Sequence, residues 1–277
     1  NPAPKAPTSP RMHKRKHARM PHKKRAWQKR AQRTAHNKHQ RKRSARQKRQ
    51  ALISSPLPMY TLAFFGTSSF AVPLLQRLAA DPRFRLVVVV TQPDRPVGRK
   101  HLLTPPPVKE AASALGIPVL QPERMRSPEA LEELRAFTFD AAVVASYGQI
   151  LPAAVLDLAP QRWINLHGSL LPHYRGASPI TEAIKQGDTE TGVTVMVMDA
   201  LMDHGPTLSM ATAPILPTDT TETLSETLAQ LGAQHLPDTL FAYLEGRLSP
   251  QEQNHEAATR CSLIKKEDGA IEPSTID

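Results

Sequence analysis

The 277-residue chain is predicted to fold as an α/β domain with a doubly wound, mostly parallel sheet, preceded by a disordered basic tail. Three observations predict it. Short apolar, β-branched runs alternate with stretches of helical spacing, which is the mark of βα units and therefore of parallel strands. Leu86–Val90 is apolar at every position, as a strand buried on both faces requires. Charge is also split along the chain. Residues 1–50 carry 19 Lys and Arg and no acid, whereas the other 227 carry 17 basic and 25 acidic residues, so the net +11 belongs to the tail.

Residues 1–58 hold almost no aliphatic side chains and cannot bury enough apolar area to offset chain entropy. The clusters Lys23-Lys24-Arg25 and Arg41-Lys42-Arg43 are dense enough to bind phosphate backbones. Two readings stand side by side: a nucleic-acid-binding tail, or an upstream extension without a role, since the chain opens on Asn1 and Met59 directly precedes the first strand. A mitochondrial leader is disfavoured because an apolar helical face is missing.

From residue 59 the elements follow in order. Thr61–Phe65 is a strand stopped by Gly66. Phe70–Ala80 is a helix with Val72, Leu75 and Leu78 on one face, and Leu86–Gln92 is the second strand. A Pro-rich loop, Pro93 to Pro107, leads to a helix near Val108–Leu115 and a strand at Ile117–Leu120. A helix at Pro128–Ala136, a strand at Asp140–Ser146, a short helix at Pro152–Ala159 and a strand at Trp163–Leu166 continue the alternation. Thr191–Asp199 is a further β-branched run, and Thr220–Leu244 a long helix read as amphipathic packing. In such sheets ligands sit outside the carboxyl ends of the strands, so Gly66, Gln92, Tyr147 and His167 are expected on one rim.

Several function classes drop out. The first βα turn, Gly66-Thr67-Ser68-Ser69-Phe70, has one glycine where a dinucleotide fingerprint needs three, and no Walker loop occurs. No run approaches 18 apolar residues, so no membrane span is expected. The single Cys261 rules out an intrachain disulfide and points to a cytoplasmic protein. No His/Cys/acid spacing suits a metal, and no Ser sits in a nucleophile elbow.

What remains is a polar group at the end of a strand. Alternation places Asn165 and His167 on the same side of their strand, with Leu166 opposite. An amide donor beside an imidazole suits a carbonyl oxygen that gains negative charge. Asp203, on the loop after the Thr191–Asp199 strand, could orient His167 and stabilise its cationic form, with Asp199 and Asp94 as competing candidates. Taken alone, the pair is also compatible with a satisfied buried His and a turn Asn.

The residues then resemble a known family. His167-Gly168-Ser169-Leu170-Leu171-Pro172, followed by Tyr174-Arg175-Gly176-Ala177-Ser178-Pro179-Ile180, is similar to the signature loop of the 10-formyltetrahydrofolate-dependent formyltransferases. Phe64-Phe65-Gly66-Thr67, Gln92-Pro93-Asp94-Arg95-Pro96 and Asp203-His204-Gly205 agree at family spacing, and the likeness spans Met59 to about Ile264. It implies a Rossmann-like catalytic domain at 59–264 with Asn165, His167 and Asp203 as the catalytic trio. It implies that Ser169, Leu170, Leu171 and Pro172 line the site of the co-substrate, 10-formyltetrahydrofolate, with no metal. Within the family, the branch that acts on methionyl-initiator tRNA fits best. Arg99 and Lys100, in the Gln92–Lys109 loop, are the implied tRNA contacts, with Arg95 and Arg175 as secondary candidates. A monomer is expected.

Two departures follow from the same resemblance. Leu201 stands where the family usually has Gly, so the backbone before Asp203 is expected to differ. Family members also usually continue into a small β-barrel, and residues 265–277 resemble the linker that would enter it. Rival acceptors are a small amine, such as glycinamide ribonucleotide or an amino-sugar nucleotide, and water. The rival from another class is an inactive body that carries a nucleic-acid-binding tail.

Overall fold

The computed structural model describes residues 59–98, 100–159, 162–264 and 268. The chain divides into two units, Asn1–Leu57 and Pro58–Asp277, and every described residue belongs to the second. The readings of the basic tail, of Arg99 and of the 265–277 linker, Asp268 apart, fall outside the described residues.

The core is a seven-stranded sheet in the order β10-β9-β7-β6-β1-β2-β5. Its parallel part is β1 (Tyr60–Gly66), β2 (Phe84–Val90), β5 (Val119–Leu120), β6 (Ala141–Ala145) and β7 (Trp163–His167). The last two strands, β9 (Glu190–Val197) and β10 (Thr207–Pro214), run antiparallel to their neighbours. The expected mostly parallel, doubly wound sheet is therefore present. Its antiparallel edge is new, because β10 mixes Ser, Thr and Met and shows no apolar run. A two-stranded hairpin, β3 (Arg95–Val97) and β4 (Leu102–Thr104), lies in the expected Pro-rich loop. The remaining pair joins β8 (Arg175–Gly176) to β11 (Arg260–Cys261).

Helices coat both faces. One face carries α1 (Val72–Ala79), α2 (Pro107–Ala114), α5 (Pro179–Gln186) and α6 (Thr221–Leu244) over Leu62, Phe64, Val143, Ile164, Leu166 and Val195. The other carries α3 (Pro128–Arg135) and α4 (Ala153–Leu156) over Ala63, Phe65, Val88, Val144 and Trp163. Local chemistry sets their ends. Ser127 Oγ accepts the Ala130 N–H at 3.2 Å to start α3, with Pro128 in the first turn. Thr220 and Thr223 cap α6 reciprocally, each hydroxyl accepting the other's N–H. α6 buries Leu224, Leu228, Leu236 and Leu240 at i+4 spacing, as the amphipathic reading expected. Gly232, on the same row, touches the sheet: a Cβ there would stand 2.3 Å from Leu166 Cδ2.

Candidate active site

β7 supplies both faces of the sheet at once. Ile164 and Leu166 enter the core under α6, while Trp163, Asn165 and His167 project from the other side. The cluster under α3 and α4 takes in β1, β2, β6 and Trp163 at the start of β7, and Asn165 and His167 lie outside it. His167 ends β7 and is buried, with 6% of its side chain exposed. Asn165 is half-buried.

Asp203 arrives by an unexpected route. β9 is antiparallel to β7, with Asn165 opposite Met196 and Ile164 opposite Val197. The loop after β9 therefore starts beside the amino half of β7 and folds back across the face before β10 begins. Gly205 makes that turn possible, because a Cβ would lie 2.0 Å from Val197 O. Asp203 itself takes a left-handed backbone, φ 51°. Leu201 does not: the residue where the family usually has Gly has no positive φ and its side chain is 61% exposed, so a leucine fits there without strain.

These turns bring the three predicted side chains together. Asp203 Oδ1 accepts from Asn165 Nδ2 at 3.4 Å and stands 3.6 Å from His167 Nδ1. Asp203 Oδ2 accepts the Gly176 N–H at 2.8 Å. On the far side of the ring, His167 Nε2 lies 2.9 Å from Tyr174 O. A carbonyl can only accept, so Nε2 carries the hydrogen and Nδ1 faces the carboxylate. Of the competing carboxylates, Asp94 pairs with Lys109 Nζ at 2.7 Å and Asp199 with His204 Nδ1 at 2.6 Å.

The loop 168–176 is held from beneath. Thr194 Oγ1 donates to Ser169 O at 2.7 Å and accepts the Leu171 N–H at 3.0 Å. Ser169 Oγ donates to His173 O at 2.6 Å, and both Ser169 and Leu171 are buried. Their side chains serve the loop, which leaves Leu170, Pro172 and main-chain groups to meet a ligand. A cavity of about 370 Å³ is lined by Leu170, His173, Tyr174 and residues 188–191, and none of Asn165, His167 or Asp203 lines it. Tyr174 donates its hydroxyl to Asp188 at 2.6 Å; burial, aided by that carboxylate, pushes its pKa up to about 12.

The rim expected from the strand ends is present. Gln92 Nε2 donates to Tyr147 O at 3.0 Å and Thr67 N–H to Ser146 O at 3.1 Å, so the ends of β1, β2 and β6 are laced together. Beyond them, Lys100 is exposed in the hairpin connection, whereas Lys109 is tied down by Asp94. Arg95 pairs with Glu123, and Arg175 is buried, so its guanidinium serves the interior. Among the described residues no group of three His, Cys, Asp or Glu is placed to hold a metal ion. No helix is long and apolar enough to cross a membrane among the same residues.

Sequence reasoning missed the groups that act through the backbone. Tyr174 O receives His167 Nε2 and the Cys261 thiol, at 2.9 and 3.3 Å. Burial pushes that thiol's pKa up, so it stays a donor. Thr259 holds the same loop, its Oγ1 accepting the Tyr174 N–H at 2.8 Å. Carbonyl and amide contacts leave no trace in side-chain identity, and no periodic signal could have found them.

The sequence pattern of the formyl transferase family matches residues 60–240, which span β1 through β10 and most of α6. A methionyl-tRNA formyltransferase from Roseiflexus sp. (strain RS-1) is 49% identical over 211 residues, 76% of this chain and 65% of its own length. The chain thus spans slightly under two thirds of that relative. Among solved structures, glycinamide ribonucleotide transformylase 1 from Geobacillus kaustophilus is 29% identical with a TM-score of 0.55, covering 67% of this chain and 99% of its own. An N-formyltransferase from Helicobacter canadensis, solved with folinic acid and dTDP-3-aminofucose, shares the fold with a TM-score of 0.56 at 19% identity, over 75% of this chain and 71% of its own. Fold, site loop and sequence pattern agree over the same stretch, and the chain belongs to the formyl transferase family.

Proposed function

We propose that this chain transfers the formyl group of 10-formyltetrahydrofolate to the amino group of methionyl-initiator tRNA. The observation that carries the reading is the convergence of Asn165 Nδ2 and His167 Nδ1 on Asp203 Oδ1, at the carboxyl end of β7. The tRNA acceptor rests on the 49% identical relative of that name.

In this reaction the amine nitrogen bonds to the formyl carbon and the bond from that carbon to N10 of the folate breaks. The proton lost by the amine ends on N10, so charges and atoms balance. Asn165 Nδ2 donates to the oxygen that becomes negative as the carbon turns tetrahedral, and His167, whose Nε2–H is held by Tyr174 O, donates through Nδ1–H in its imidazolium form. One such donor is worth about 3–4 kcal/mol of barrier in comparable sites. Asp203 keeps His167 oriented and favours its charged form, and its carboxylate is held for that task by the Gly176 N–H. The fixed Nε2–H contact to Tyr174 O keeps the other ring nitrogen aimed at the site.

The residues fit a folate. Exposed Ile150, Leu201 and Met202 offer apolar surface on the loops after β6 and β9, suited to a flat heterocycle. Leu170 and Pro172, with the main chain of Ser169 and Leu171, complete the binding side of the loop. Lys100, with Arg99, is assigned to the acceptor end of the tRNA as a phosphate contact. The reaction is placed in the cytoplasm, where charged initiator tRNA is made, with a monomer as the acting species.

The test offers purified chain 10-formyltetrahydrofolate with charged initiator tRNA, glycinamide ribonucleotide, an amino-sugar nucleotide or water alone. Formylation of the tRNA at a rate at least 100-fold above the other acceptors is expected. Preference for either small amine, or hydrolysis without transfer, overturns the tRNA assignment.

A further inference from the structure

We infer that Gln253, which lies beyond the stretch matched by the family pattern, is a positioning residue that holds Asp203 in its working orientation. The inference rests on the formyl-transfer reading for its kinetic half and on geometry alone for its structural half.

The primary amide of Gln253 is buried, and all four of its hydrogen-bonding valences are used. Its Nε2 donates to Asp203 O at 3.0 Å and to Gly205 O at 2.7 Å. Its Oε1 accepts Arg175 Nε at 3.1 Å and Arg175 Nη2 at 2.6 Å. Arg175 has no carboxylate partner among the described residues; its Nη2 also meets His255 Nδ1 at 2.9 Å. A guanidinium bonded to the amide oxygen polarises the amide, which strengthens the two bonds that its N–H groups make. Those bonds fall on the carbonyls either side of His204, in the turn that contains the left-handed Asp203.

Asp203 is thereby held at both ends. Its carbonyl is fixed by Gln253, and its carboxylate by the Gly176 N–H, from the residue that follows Arg175. Left-handed backbone at a non-glycine residue costs on the order of 1 kcal/mol, so an unclamped Asp203 relaxes toward ordinary φ and carries its carboxylate off His167. The rest of this segment is built for the same purpose. β11 pairs with β8, Thr259 O accepts the Arg175 N–H at 2.9 Å, and Thr259 N–H reaches Pro172 O.

Gln253→Glu separates the roles. Glutamate keeps an acceptor for Arg175 but loses both donors to Asp203 and Gly205. The expected result is a 10- to 100-fold lower kcat per folded molecule, with KM for 10-formyltetrahydrofolate within twofold. In an Asp203→Asn background the same change should cost less than twofold more, because Gln253 acts through Asp203. Independently of turnover, amide hydrogen exchange at Gly176 should accelerate at least tenfold, since its acceptor has moved. Wild-type kcat, additive losses, or unchanged exchange at Gly176 would each overturn the inference. If Gln253→Glu does not fold, Gln253→Ala is put through the same three measurements. Wild-type chain that fails to transfer formyl groups sinks the functional reading, while the exchange measurement still decides the clamp.

Discussion

The two faces of the sheet at β7 and β9 divide the work. On the α6 face, Ile164, Leu166, Val193 and Val195 alternate into a core with Leu224, Leu228 and Leu236, and Gly232 lets the helix backbone descend onto Leu166. On the other face, Asn165 and His167 meet Asp203, His167 also meets Tyr174 O, and Thr194 braces the 168–176 loop. Successive residues of one strand thus go to opposite purposes. One side ties the domain together by burial, and the other presents polar atoms whose partners are mostly main-chain carbonyls and amides. A site of this kind is stiff without being closed, because the apolar face supplies the rigidity and the polar face is left free for a ligand.

The contrast predicts a ranked set of outcomes. His167→Ala should break the polar face alone: turnover falls on the order of 100- to 1,000-fold while the thermal midpoint moves by less than about 3 °C. A variant with more than a tenth of wild-type turnover would remove His167 from the chemistry. Leu166→Ala, on the neighbouring residue, should do the reverse. Denaturant unfolding is expected to show a loss of about 2–5 kcal/mol. Turnover per folded molecule should fall far less than in His167→Ala. Gly232→Ala drives a methyl against Leu166 and alone should cost about 1–3 kcal/mol. Combined with Leu166→Ala it should fill part of the cavity, so the double variant is more stable than additivity allows.

A smaller effect sharpens the picture of the packed face. Asp81, in the turn between α1 and β2, accepts from Arg83 Nε at 2.8 Å and Nη2 at 2.7 Å. Arg83 also reaches Asp238 on α6 at 2.8 Å and lies over the Phe241 ring at 5.0 Å. The hydrogen bonds from Arg83 hold the Asp81 carboxyl below its ordinary value. The stabilisation is therefore present above the unfolded value, near pH 4, and is lost as pH falls through the lower folded value. Asp81→Asn should cost about 1.5–3 kcal/mol at pH 7. The two proteins should converge in urea midpoint toward pH 2. A gap that persists there would assign the effect to packing instead.

Much of this molecule is legible in its order of residues. The βα alternation, the strand bearing Asn165 and His167, and the long helix that begins after Thr220 all follow from periodicity and capping, which act over a few neighbours. The gathering of Asn165, His167 and Asp203 was readable too, though Asp203 needed the family likeness to be chosen over Asp199 and Asp94. β10 was missed because an edge strand half in water carries no continuous apolar run. Helix α5 was missed because it opens on Pro179 inside a segment dominated by loop residues.

The sequence by itself determined which side chains can do chemistry and which strand faces are apolar, because propensity and alternation are local. Only the tertiary structure decided where Asp203 meets His167, since the antiparallel turn of β9 and the close approach at Gly205 set that path. It also decided that a buried amide at residue 253, 50 residues from Asp203 along the chain, holds that carboxylate's backbone. Contacts between main-chain groups and distant residues depend on the folded path, and side-chain identity does not encode them.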